Sequence, residues 1–201
     1  MNTVIVCVFA AAYYGVTFSL LRGVRVDTKG ICISGIMIAL TLLLDSIRFP
    51  LPTGATVSLF SPVPLLLLAV VLDTRLAILA GWACGVLALL LIPVWQPVHW
   101  GQVFVEHLVC FSCLGYAGVF GREKRRNILC GIVLASLLNF TGHLLSGVLF
   151  FSQNAWEGWG AWGYSLSYNL SQNVPVCVLS GVIVLALPLK SLRHAVEKRG
   201  S

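Results

Sequence analysis

The sequence predicts an all-α integral membrane protein, and three observations predict it. Of 201 residues, 58% are hydrophobic and only 10% charged, against roughly a quarter charged in ordinary globular chains. The apolar residues form long runs, several of them near the roughly 20 residues that a helix needs to cross about 30 Å of hydrocarbon. The lysines and arginines behind the net charge of +6 fall in short clusters between those runs, as in membrane loops, and form no nucleic-acid-binding face. A mean hydropathy of +0.93 excludes a water-soluble enzyme, a disordered tail or a disulfide scaffold. The runs are continuous in Leu, Val, Ile and Ala rather than alternating, which excludes barrel strands.

Taken in order, the runs predict spans over about 3–21, 30–47, 56–72, 76–92, 101–121, 128–151 and 162–187. The first carries no charge and lacks the basic segment that would precede a signal peptide's core, so it reads as a true span. Its positive charge follows it, at Arg22, Arg25 and Lys29. Pro50, Pro52 and Gly54 predict a short outer turn, and Asp73-Thr74-Arg75 a tight inner one. Pro62 and Pro64 are expected to break the third span near the outer surface, and Pro175 to kink the seventh.

The basic clusters orient the chain. With 22–29 inside, alternation also puts 73–75, 122–127 and the tail from Lys190 inside. Those segments hold twelve of the thirteen lysines and arginines. Arg48 alone falls outside. The expectation is a multi-pass protein of the cell membrane, N-terminus outside and C-terminus cytoplasmic. The seven cysteines all lie in apolar runs and read as small packing residues, without disulfide or metal-ligand spacing.

Ionisable residues within spans are costly unless paired or facing a wet cavity. Here they are Asp45, Glu106, His107 and His143. Asp45 lies three residues before Arg48, and a helix-end ion pair accounts for it. Glu106 needs a partner or a ligand. The seventh span opens with an unusually polar half, in which Tyr164, Tyr168 and Gln172 recur at four-residue steps on one face, beside Asn169 and Asn173. Glu106, His143, Tyr164 and Asn169 are expected to converge on one outward-facing cavity. Trp156, Trp159 and Trp162 cluster in the loop above it, as a lid or as an interfacial belt. A carboxylate, aromatic faces and amide or imidazole edges suit a polar or cationic aromatic ligand. No Walker, G-x-S-x-G or H-E-x-x-H motif is present.

At these residues the chain resembles the substrate-binding S components of energy-coupling factor (ECF) vitamin transporters, above all the thiamine-specific ones. The resemblance covers roughly 30–187. It rests on Gln102-Val-Phe-Val-Glu106-His107, on Leu114-Gly115-Tyr116-Ala117-Gly118, and on the stretch 143–169 with Ser146-Gly147, Phe151-Ser152-Gln153, Ala155-Trp156 and the run from Tyr164 to Asn169. It implies a six-helix, S-component-like substrate-binding domain over 30–201, and makes 1–29 an extra N-terminal transmembrane helix with a basic loop. It implies Glu106, His143, Tyr164 and Asn169 as ligand contacts. The chain departs from the family where His107 stands for a tyrosine, Asn139 for a site lysine and Phe151 for a stacking tryptophan. It also has no tryptophan between Phe49 and Phe60.

The implied function is binding and uptake of thiamine, or a related pyrimidine or thiazole compound, with no resident cofactor or metal. The implied partners are a membrane-embedded coupling subunit and two cytoplasmic ATPases. Small residues allow close helix docking in lipid. Gly35-x-x-x-Ala39 lies where the family carries its coupling motif, and Ala11-x-x-x-Gly15 offers a second such pair. Other readings are an S component for a different vitamin, a solitary uptake protein, or an intramembrane enzyme using Ser146 or Ser165 with Glu106 or His143.

Overall fold

The computed structural model describes residues 2–93 and 96–198. Among the described residues eight helical segments of ten or more residues follow one another, with a 3-10 turn at Ser152–Asn154 between the sixth and seventh: α1 (Asn2–Leu21), α2 (Thr28–Ser46), α3 (Val63–Leu72), α4 (Thr74–Leu91), α5 (residues 100–118), α6 (Arg125–Phe150), α7 (Ala161–Ala186) and α8 (Leu189–Lys198). Five of them, α1, α2, α4, α6 and α7, are long and apolar enough to cross a membrane. Asp27 caps α2 by accepting from the Gly30 amide at 2.8 Å. Asp73 caps α4 by accepting from Arg75 and Leu76, so the Asp-Thr-Arg turn is a helix start.

The third span departs from expectation. Helix occupies only Val63–Leu72, an α and a π segment of five residues each. At 1.5 Å per residue that is about 15 Å, half the hydrocarbon thickness. Pro62 and Pro64 explain it: proline suits a first helical turn, and it biases the residue before it to extended backbone. The preceding residues form a hairpin instead, β1 (Phe49–Pro50) against β2 (Thr56–Val57). Gly54, at φ +84°, closes its turn. This hairpin is a small departure from an all-helical chain. The seventh span runs unbroken through Pro175 as α7. The tail, expected to be a basic extension, forms the amphipathic helix α8.

The central rod is α5. It begins with one α turn, Trp100–Gln102, passes into a π segment, Val103–His107, returns to α over Leu108–Ser112 and ends in 3-10 geometry over Cys113–Gly118. Helices α4 and α6 pack on it at backbone contact. A Cβ on Gly131 of α6 would stand 2.1 Å from the Ala117 carbonyl oxygen, and one on Gly85 of α4 would stand 2.6 Å from that of His107. Helix α1 packs on the same rod: the Tyr13 hydroxyl lies 2.6 Å from Ser112 Oγ, and Thr17 Oγ1 lies 2.7 Å from the Tyr116 hydroxyl. Ala11 and Gly15 face away from the bundle.

One end of the bundle gathers the basic loops. Lys29 donates to the Val196 carbonyl, Arg75 to that of Arg22, Arg122 to that of Leu72, and Arg193 to those of Val70 and Arg122. The segments carrying every described lysine and arginine except Arg48 therefore meet at one end, as the clustering predicts. Arg48 pairs with Asp45 at 2.5 Å, and Ser58 donates to the same carboxylate at 2.8 Å.

Candidate ligand-binding site

At the opposite end lies a cavity of about 280 Å³, at the lower end of the range of small-molecule sites. Helices α5, α6 and α7 and the hairpin wall it. Glu106, His143, Phe151, Tyr164 and Asn169 all line it, so the structure brings the predicted group together. Glu106 sits within the π segment of α5. Such segments are rare and appear disproportionately at functional sites.

The Glu106 carboxylate is the centre of the polar wall. Gln102 Nε2, one turn earlier, donates to Oε2 at 2.7 Å. Ser146 Oγ donates to the same oxygen at 2.6 Å, and His143 Nδ1 lies 3.1 Å from Oε1. Three groups from two helices thus hold one carboxylate, which answers its desolvation within the membrane. On α7, the Asn169 amide donates to the Ser165 carbonyl at 2.8 Å, and Ser165 Oγ donates to the Leu144 carbonyl at 2.8 Å. Helices α6 and α7 approach this closely because residue 147 is glycine; a Cβ there would lie 2.2 Å from Ser165 Oγ.

Tyr164 and Tyr168, as their spacing predicts, share the cavity face with Gln172. Their rings lie 5.6 Å apart. Trp156 meets Tyr164 edge-on at 5.2 Å, and Trp159 meets Trp156 edge-on at 5.1 Å. The two tryptophans thus back the tyrosine wall. Trp162 lies apart from them, its Nε1 3.4 Å from Asn2 Oδ1.

Two predicted residues sit differently. His107 borders the cavity but is fully buried, with Nδ1 3.4 Å from the Gln102 carbonyl oxygen, so it backs the wall. Asn139 lines a smaller chamber of about 60 Å³, which adjoins the main one at Arg48, His143 and Gln172. Its side-chain amide donates to the Cys110 carbonyl at 2.9 Å, tying α6 to α5. Gln102, Arg48, Thr56 and Tyr168 also line the cavity and were not among the predicted contacts. The one-turn spacing of Gln102 and Glu106 is the signal that could have found the first.

Gly35 and Ala39 lie exposed on α2, and a Cβ on Gly35 would meet nothing within 4 Å. Helix α1 leaves this face open.

The model of the thiamine transporter protein family (Thia_YuaJ) matches residues 31–196. The chain belongs to that family. Thiamine transporter ThiT of Bacillus subtilis (strain 168) is 24% identical over 167 residues, spanning 76% of this chain and 86% of that protein. A solved structure of ThiT from Listeria monocytogenes matches with a TM-score of 0.72 at 22% identity, covering 83% of this chain and 96% of that one. The thiamine transporter family fold is therefore shared, and the chain is a multi-pass membrane transport protein rather than an enzyme. Helix α1 precedes the residues that the thiamine transporter family model matches.

Proposed function

We propose that this chain binds thiamine in the cavity around Glu106 and serves as the substrate-binding S component of an ECF-type importer. The observation that carries this reading is the Glu106 carboxylate, held by Gln102, His143 and Ser146 in the wall of a cavity that Phe151, Tyr164 and Tyr168 also line. A carboxylate accepts from an exocyclic amino group and attracts a cationic ring. Asn169 and the Tyr164 hydroxyl offer donors and acceptors along a heterocycle's edge. Phe151, Tyr164 and Tyr168 supply faces for cation–π contact.

In this reading the basic end of the bundle is cytoplasmic, which places the cavity toward the outside. Transport, in this reading, uses partners, a membrane-embedded coupling subunit and two cytoplasmic ATPases, as the resemblance to S components implies. The exposed Gly35–Ala39 face of α2 is where the coupling subunit docks, since small residues let a neighbouring helix approach.

Tryptophan fluorescence of the detergent-purified protein, titrated with thiamine and with its pyrimidine and thiazole halves, tests the ligand. Trp156 stands against the cavity wall and reports occupancy. Saturable quenching is expected, with Glu106→Gln weakening it about thirtyfold or more, as truncating a buried hydrogen-bonded charge does. Absence of any response from a folded wild-type protein rejects thiamine as the ligand.

A further inference from the structure

We infer that Tyr14, on the helix that precedes the family-matched region, is a positioning residue for the ligand-binding glutamate. The inference rests on the reading of Glu106 as the ligand-binding carboxylate. It begins with the backbone of the π segment Val103–His107. There the Leu108 amide donates to the Val103 carbonyl, five residues back. In an α-helix the same amide would serve Phe104 instead. The Phe104 carbonyl, passed over by that donor, accepts from the Tyr14 hydroxyl at 2.7 Å.

The contact therefore comes from outside the rod and lands within the wider turn that carries Glu106. A carbonyl in hydrocarbon surroundings favours whichever backbone geometry gives it a partner. Supplying that partner from Tyr14 favours the π turn over the α turn. The difference matters for the site, because inserting or removing a π turn rotates every residue before it relative to every residue after it. Gln102 and Glu106 would then turn away from His143 and Ser146, which approach from α6.

Tyr14 is itself held in place. Its ring lies 6.4 Å from Trp82 of α4 and 6.2 Å from Phe18, and Phe18 lies 5.6 Å from Trp82. The neighbouring Tyr13 offers a built-in comparison. It also spends its hydroxyl on α5, but on Ser112, beyond the π segment. Helix α1 thus makes three hydrogen bonds to the rod, through Tyr13, Tyr14 and Thr17, and only that of Tyr14 touches the turn with the glutamate.

Full-length Tyr14→Phe and Tyr13→Phe proteins test this by two readouts, amide hydrogen exchange without ligand and thiamine affinity. Tyr14→Phe is expected to speed exchange over residues 103–109 and to weaken thiamine binding about tenfold, the loss of one well-placed hydrogen bond. Tyr13→Phe is expected to lower thermal stability while leaving both readouts near wild type. Equal effects of the two variants on affinity, or unchanged exchange over 103–109 in Tyr14→Phe, would overturn the assignment. Thiamine failing to bind the wild-type protein overturns the ligand reading, while the exchange comparison still decides whether Tyr14 holds the turn.

Discussion

Glu106 was legible because nothing else explains it. A carboxylate in an apolar run requires partners or a ligand, and the structure supplies three donors. Two of those donors were harder to read. Gln102 and Ser146 are residue types that commonly serve as glue between membrane helices, and only the fold shows both aimed at one carboxylate. His107, next to Glu106 in sequence, borders the same cavity but is fully buried, with its Nδ1 beside the Gln102 carbonyl. Ser146→Ala should weaken thiamine binding about fivefold, less than Glu106→Gln, because two donors remain on the carboxylate. The fluorescence titration measures this, and an effect equal to that of Glu106→Gln would make Ser146 a direct ligand contact. Asn169→Ala should reduce, without abolishing, discrimination between thiamine and its thiazole half, because Glu106 and Tyr164 also line the cavity. Comparing the two affinities in that variant checks it.

Helix length was read well wherever apolar runs lacked proline, as in α1, α4 and α6, and badly where Pro62 and Pro64 intervene. Hydropathy counts residues 56–62 as span. Backbone chemistry makes part of that stretch a hairpin strand, and those residues wall the cavity through Thr56. The π segment of α5 has no sequence signature, since it depends on what α1, α4 and α6 press against the rod. The glycines record that pressure. Gly131→Ala would set a Cβ 2.1 Å from the Ala117 carbonyl oxygen, and overpacking of this kind costs about 1–3 kcal/mol. A lower melting temperature in detergent is expected, with thiamine affinity retained in the folded fraction because the contact lies away from the cavity.

For the whole molecule, the clustering of basic residues foretold which loops share an end, because charge asymmetry across a bilayer is a global property that local folding cannot hide. A fluorescent protein fused to the C-terminus should therefore mature in the cytoplasm, and an N-terminal epitope should be reached by antibody on intact cells. The reverse result would invert the orientation. Docking belongs to this scale too. Replacing Gly35 by Leu adds bulk to open space, so binding should persist while copurification with the proposed coupling subunit and uptake are lost. Loss of binding as well would make that face part of the chain's own packing.

The arginines at the basic end also finish a helix that is too short. Helix α3 stops after about 15 Å, and its last carbonyls, Val70 and Leu72, are met by Arg193 and Arg122. Arg193 is buried, with its guanidinium also tied to the Arg122 carbonyl. The same two charges thus count toward orientation and serve as the missing turn of a helix. Moving positive charge from this end of the protein to the other would unstitch the bundle's basic end, so the charge pattern that directs insertion and the contacts that hold the fold are not separable properties.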